Sequence, residues 1–278
     1  MLRTMITATN SLTQVQKKLD TVSNNIANSN TNGYKAQQAS FSELMYQQFN
    51  NDKLDKTVRQ SPVGIRYGVG AQIAQIQTNQ TQGSIQTTGR DLDVAFTKAN
   101  QYLNIIQQNG DTQEIVYSRQ GNLYVTPEGN GTVSLVDANG NYVADANGNR
   151  ITFADDAESF NISANGSLNI TFSTGAPISV DLGITQLNKP QVLESKGDSY
   201  IGLPANFEEL GYNQNDVLIN LQGGARQNVS MLAGALEGSN VDLSQEMTDL
   251  IAAQRQYQFN SRAITIADQM LGLINGIR

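Results

Sequence analysis

Along residues 1–28 the apolar or small positions Met5, Ala8, Leu12, Val15, Leu19, Val22 and Ile26 recur at alternating steps of three and four. This is an a/d heptad seam, and it predicts a helix about 42 Å long. The same stretch carries Thr4, Thr7, Thr9, Thr13 and Thr21, a residue of modest helix propensity. A clean seam on a weak helix former needs a partner to be stable. The other end repeats the pattern: Leu250, Ala253, Tyr257, Asn260, Ile264, Ala267, Leu271 and Ile274. Asp242 followed by Gln245 has the spacing of an N-cap and a capping-box partner, so this helix is expected to start near Leu243.

Between the seams the period changes to two. Strands are expected at Leu92–Thr97, Tyr102–Gln107, Glu114–Tyr117, Asn122–Thr126, Val133–Val136, Phe160–Ser163, Leu168–Phe172 and Ile178–Gln186. Asn-Gly pairs at 109–110, 139–140, 147–148 and 165–166 punctuate them as tight turns. Ser40 and Glu43 have capping-box spacing and predict a short helix through Phe49, after which Asn50 to Gly70, with Pro62, reads as irregular. The fold class that follows is mainly β with α. A central antiparallel β domain (83–221) is flanked by heptad-patterned terminal helices (1–30 and 240–278) that pair as a discontinuous coiled-coil domain. An extended connecting region spans 31–82 and 222–239.

Composition narrows the chemistry. The 278 residues hold 18 basic and 25 acidic side chains, a net charge of −7, and no Cys, His or Trp. Without Cys and His there is no disulfide framework, no thiolate nucleophile, no imidazole base and no Cys- or His-ligated metal. An acidic chain whose only adjacent basic pair is Lys17-Lys18 lacks the clustered cations that bind nucleic acid. The N-terminus lacks the apolar core of a secretory signal peptide, and no run approaches the length of a membrane-spanning helix.

The remaining motifs are weak. Asp-Ala-Asn-Gly-Asn occurs twice, at 137–141 and 145–149, resembling the start of a calcium loop, but Tyr142 and Gly148 stand where that loop needs Gly and Glu. Two hairpin turns account for the repeat. The carboxylate pairs Asp91/Asp93, Asp155/Asp156 and Glu208/Glu209 read as surface acids rather than a hydrolytic pair. No cofactor, metal or enzymatic activity is expected. The competing reading is a glycan-binding or peptidoglycan-acting β domain of the cell surface.

Two long strings point further. SNNIANSNTNGYKAQQASF at 23–41 resembles the signature of bacterial flagellar axial proteins of the rod and hook, through Asn24, Asn25, Ile26, Ala27, Asn28, Thr31, Gly33, Tyr34, Lys35 and Phe41. EGSNVDLSQEMTDLIAAQRQYQFNSRAITIADQMLGLI at 237–274 is similar to that family's closing helix, and 83–95 and 114–125 also fit. Within the family the resemblance is to basal-body rod proteins, the FlhO type of Bacillus-like bacteria and the related FlgF and FlgG. The family's glycine-rich segment after Leu92-Asp93-Val94-Ala95 is replaced here by Phe96–Leu103.

The resemblance implies a structural subunit, exported through the flagellar type III apparatus without a Sec signal. It would assemble with copies of itself and other rod and hook proteins into an extracytoplasmic helical tube for motility. On that reading Leu12, Leu19, Val22, Ile26, Leu250, Tyr257, Ile264 and Leu271 bury surface in the assembled tube, and the Asn24–Lys35 motif shapes the exit from the first helix.

Overall fold

The computed structural model describes residues 2–43, 47–49, 65–67, 71–109, 112–129, 131–197 and 199–276. The first seam folds as α1, Leu2–Ala27; a single-turn helix, α2, spans Gln214–Val217; the second seam folds as α3, Leu243–Gly276. Asp242 caps α3 as expected, its Oδ1 accepting from the backbone N–H groups of Ser244 and Gln245 at 2.9 and 3.2 Å. Gln245 does not return to the cap; its Nε2 donates forward to Asp249 at 2.9 Å.

The chain forms two compact units, each assembled from separate stretches of sequence. A helical unit contains Met1–Ala27, Gln37–Gln77 and Asp242–Arg278, and a β unit contains Asn28–Ala36 and Thr78–Val241.

In the helical unit α1 packs along α3. Asn25, near the end of α1, reaches Glu246 in the first turn of α3, and Lys18 lies 3.9 Å from Asp249, so the two helices run antiparallel. The threonines of α1 are accommodated by folding their hydroxyls back: Thr9, Thr13 and Thr21 donate to the carbonyls of Met5, Thr9 and Lys17, four residues earlier. The helix expected through Phe49 does not form. Gln37–Glu43 is a strand paired with Ala71–Thr78, and Gln47–Phe49 pairs antiparallel with Ile65–Tyr67. Capping-box spacing is a local signal, and sheet partners outweigh it here. The rest of the expected irregular stretch, including Pro62, lies outside the described residues.

The β unit is built on a ten-stranded sheet. Its centre is Gln101–Asn109, which pairs antiparallel with Thr112–Ser118, Tyr142–Val143 and Ile184–Leu187. Period-two alternation divides these strands between two cores. Leu103, Ile105 and Val116 enter the larger one with Leu123, Leu135, Leu168, Ile170 and Leu182. Their neighbours Tyr102 and Tyr117 enter a smaller one with Leu187, Val217 and Leu218. Burial pushes the Tyr102 and Tyr117 hydroxyls up to about 12, so both phenols stay neutral.

Every expected strand has a counterpart, with one change: the stretch 178–186 is divided into Ile178–Asp181 and Ile184–Leu187. Two strands that were not expected, Met231–Ala233 and Ala235–Glu237, flank Gly234, whose φ is +68°. The Asn-Gly turns at 139–140, 147–148 and 165–166 all place glycine at positive φ, the backbone those turns require.

Candidate functional site

The α1–α3 pair distributes its seam unevenly. Val22 is buried; Leu12, Leu19, Ile26, Leu250, Ile264 and Leu271 are half-buried; Tyr257 is exposed. The other buried apolar positions of the pair are small: Val15 on α1, and Ala253 and Ala267, two heptads apart, on α3. Alanine at those points lets the helix axes approach closely. The seam reading did not single out a second apolar set on α3. Met247, Ile251, Phe259, Ile266, Met270 and Leu273 point to solvent, with Phe259 73% and Leu273 69% exposed. The signal was present in the sequence as large apolar residues outside the a/d positions.

The Asn24–Lys35 motif does two distinct jobs. Asn25, 2% exposed, belongs to the helical unit. Its Oδ1 accepts from Gln37 N–H at 2.9 Å, while its Nδ2 donates to Gln37 O at 2.8 Å and to Glu246 Oε1 at 2.9 Å. One side chain therefore satisfies both backbone groups of Gln37 and holds the first turn of α3. Burial pushes the Glu246 carboxyl up, with Asp249 adding to the shift and the Asn25 bond opposing it.

From Asn28 onward the motif belongs to the β unit. The Asn28 carbonyl accepts from Thr31 N–H at 3.2 Å and its Oδ1 accepts from the Thr31 hydroxyl at 3.1 Å, closing a turn. Gly33, at φ +71°, donates to Glu237 O at 2.8 Å. A Cβ there would stand 2.6 Å from the Arg119 carbonyl carbon and the Gln120 nitrogen, so only glycine fits. Tyr34 and Lys35 are both buried.

Lys35 ends in a buried ionic cluster. Its Nζ donates to Glu237 Oε1 and to Thr81 O, both at 2.7 Å. The same carboxylate oxygen accepts from Gly83 N–H at 2.9 Å. Glu237 Oε2 accepts from Arg119 Nε at 2.6 Å. The remaining Arg119 nitrogens donate to Gln101 O and Lys98 O at 2.8 and 2.9 Å, and the guanidinium lies within 6 Å of the Phe96 and Tyr102 rings, at 5.5 and 5.7 Å. One carboxylate, 2% exposed, thus joins two cations.

Burial alone would raise the Glu237 carboxyl. Arg119, the Lys35 hydrogen bond and the Gly83 N–H together hold it below the usual carboxylate range. Burial lowers Lys35, with Arg119 adding to the effect and Glu237 offsetting part of it. Next to the cluster, Asn240 Oδ1 accepts from Ala36 N–H at 2.7 Å and its Nδ2 donates to Asn79 O and Thr81 O at 2.9 Å. The segment Gly33–Ala36 is therefore latched into the β unit at Gly33, Lys35 and Ala36, with Tyr34 buried between them.

The carboxylates considered for hydrolysis do not converge. Asp93 is buried and accepts from Thr88 Oγ1 and Arg90 Nη1 at 2.7 and 2.9 Å, and Arg90 also donates to Leu123 O. Asp91 and Asp155 are exposed, Asp156 accepts from Thr174, and Glu209 is exposed; the Glu208 side chain lies outside the described residues. Asp137 and Asp145 each spend one oxygen on two backbone N–H groups of their own turn, at 2.8 to 2.9 Å. Among the described residues no group of three acidic side chains could hold a metal ion, and no helix is long and apolar enough to cross a membrane.

Comparison with known proteins follows the same geography. Residues 5–35 match the family described as flagella basal body rod protein. Residues 98–170 match the flagellar hook protein FlgE/F/G D1 domain, and residues 232–277 match the flagellar basal body rod FlgEFG protein C-terminal. The chain is 46% identical over 288 residues to the flagellar hook-basal body complex protein FlhP of Bacillus subtilis (strain 168), covering 100% of both. It is 31% identical to the flagellar basal-body rod protein FlgG of the same strain, covering 98% of this chain and 97% of that one. The FlgG of Agrobacterium fabrum (strain C58 / ATCC 33970) is also 31% identical, covering 99% and 98%. The expected kinship with FlgG is met, and the chain belongs to the flagellar basal-body rod and hook protein family.

Proposed function

We propose that this chain is a structural, non-catalytic subunit of the flagellar basal-body rod, assembling with copies of itself and with other axial proteins into a helical tube. The observation that carries the reading is the second apolar face of α3. Met247, Ile251, Phe259, Ile266, Met270 and Leu273 are exposed, whereas on the seam Ala253 and Ala267 are buried and Leu250, Ile264 and Leu271 are half-buried. An apolar face of that length costs free energy in water and gains it against neighbouring helices. Non-closing contacts of this kind give a helical array rather than a ring. In that array the seam residues Leu12, Leu19, Val22, Ile26, Leu250, Tyr257, Ile264 and Leu271 pair the two terminal helices as a coiled coil. The outer face then meets other subunits. Export by the flagellar type III apparatus and an extracytoplasmic position in the basal body complete the reading.

The test uses a strain lacking the chromosomal copy, complemented with variants. Phe259→Asp and Leu250→Asp should abolish recovery of the chain in purified hook–basal bodies, while far-UV circular dichroism shows the β unit folded. Normal incorporation of both variants would refute the interface.

A further inference from the structure

Three residues separate two turns of identical sequence, Asp137-Ala138-Asn139-Gly140-Asn141 and Asp145-Ala146-Asn147-Gly148-Asn149, and they share their backbone geometry almost completely. Gly140 and Gly148 sit at φ +83° and +85°. Each glycine N–H donates to the carbonyl of its turn's Asp at 3.1 Å. Each Asp Oδ1 accepts from the N–H groups two and four residues on. Both central asparagines are exposed.

The second turn also ties its Ala146 to Asp181 and Gln222, but the side chains of the two central asparagines differ in one partner. Tyr200, fully buried, donates its hydroxyl hydrogen to Asp137 Oδ2 and accepts from Asn139 Nδ2 at 2.8 Å and Asn141 Nδ2 at 2.9 Å. Burial first, and then Asp137, push this phenol well up, so it is a hydroxyl at any working pH. The second turn has no such residue, and no described group hydrogen-bonds the Asn147 side chain.

We propose that Asn147 is a site of spontaneous deamidation in the folded protein and that Tyr200 protects its twin, Asn139. In the reaction the Gly148 backbone nitrogen, giving up its proton to solvent, attacks Cγ of Asn147. A C–N bond forms, the bond to the side-chain nitrogen breaks, and ammonia leaves. Water then opens the cyclic imide at either carbonyl, giving aspartate or isoaspartate. The attack requires the side chain to swing until Cγ meets the next nitrogen. Glycine, having no side chain, leaves that approach open. Asn147 is free to make the swing, whereas Asn139 must first release the Tyr200 hydroxyl.

The other described pairs are held by different means. Gly33 N–H is buried against Glu237 O, at 2.8 Å. At Asn165 the Oδ1 accepts from Ser167 N–H at 3.3 Å, and Gly166 is packed so closely that a Cβ would lie 2.4 Å from Ile184 Cδ1. The product at 147 places a new carboxylate two residues from Asp145. As isoaspartate it also adds a methylene to the backbone of a turn whose Ala146 N–H donates to Asp181 O.

The experiment is incubation of the intact folded chain at mildly alkaline pH, with samples digested by trypsin over time. Gln120–Arg150 contains no internal Lys or Arg, so both turns fall in one peptide and its fragment ions give each site's conversion. Asn147 is expected to convert about fivefold faster than Asn139, the population factor of one ordinary hydrogen bond. In denaturant the two rates should converge, because the local sequences are the same. Tyr200→Phe, verified as folded by its melting curve, should raise the Asn139 rate to that of Asn147. Equal rates at the two sites in the folded chain, or faster conversion at Asn139, would overturn the proposal. An Asn139 rate unchanged in a folded Tyr200→Phe variant would overturn the role given to Tyr200.

Discussion

Replacing Glu237 by Gln keeps the side chain's shape and removes its charge, so it tests what the buried cluster contributes to the β unit. In the native unit one carboxylate faces Lys35 Nζ at 2.7 Å and Arg119 Nε at 2.6 Å, all three side chains being buried. Gln offers one cation a carbonyl oxygen and turns an N–H₂ toward the other. Removing one partner of a buried ion pair costs about 3–5 kcal/mol, because a charge is left without compensation. For a unit of this size each kcal/mol moves the midpoint by about 2–4 °C, so Glu237→Gln should lower the melting temperature by roughly 6–20 °C.

Lys35→Met is the informative control. It leaves Arg119 and Glu237 paired and removes the cation that burial already disfavours, so its cost should be less than half as large. The double variant should be milder than the sum, since only Arg119 is then uncompensated. Scanning calorimetry on the purified chain measures all three. A Glu237→Gln midpoint within about 2 °C of the native one, on the same scale of degrees per kcal/mol, would show that the cluster contributes nothing net and that the reasoning is wrong.

Four further outcomes are expected. The Glu237 carboxyl is held below its ordinary 4.5, so its contribution is fully present above that pH and is lost as pH falls through the lower folded value. The β-unit midpoint should therefore drop below about pH 4.5, and the Glu237→Gln variant should lose that component of the slope. Glu246 has the opposite sign: its raised carboxyl favours the folded helical unit as pH falls through its folded value, and Asn25→Ala should enlarge that effect, read by circular dichroism at 222 nm, the standard helix signal. Gly33→Ala should cost about 2–5 kcal/mol, from a strained φ plus overpacking. Gly89→Ala, at nearly the same φ of +72° but with nothing within 4 Å, should cost only the strain; equal losses would refute the close-approach argument. Asn25→Ala should also leave both backbone groups of Gln37 unpaired, read as faster hydrogen exchange at its amide.

The terminal helices were legible because a 3–4 repeat has no β alternative, and the sheet because short alternating runs end at Asn-Gly turns. The strand at Gln37–Glu43 was not. Its capping spacing is local, whereas its partner, Ala71–Thr78, lies about thirty residues away. The ionic cluster was hidden for the same reason. Lys35 and Glu237 are 202 residues apart, and Arg119 is 118 from Glu237. Yet each of the three falls inside one of the strings that carried the family resemblance, at Gly33–Lys35, 114–125 and 237–274. A buried charge set shared among distant motifs is the kind of constraint a single sequence records only as unexplained polar residues. The outward face of α3 was a different omission. Its residues were visible, but a seam search counts only the positions that fit the repeat.

The interleaved composition of the two units bears on how the chain folds. The bond between Asn25 and Glu246 closes a loop of 221 residues. Closing that loop from an open chain carries an entropic barrier of about 5 kcal/mol. The β unit removes about half of it, because its latch brings Ala36 within a hydrogen bond of Asn240 before α1 and α3 need to meet. Docking of the helices then starts from ends a few residues long. The chain's two termini should be the last parts to order, at a rate set by how quickly the latch forms. A variant with a weakened latch would fold its helices late even where their own contacts are intact.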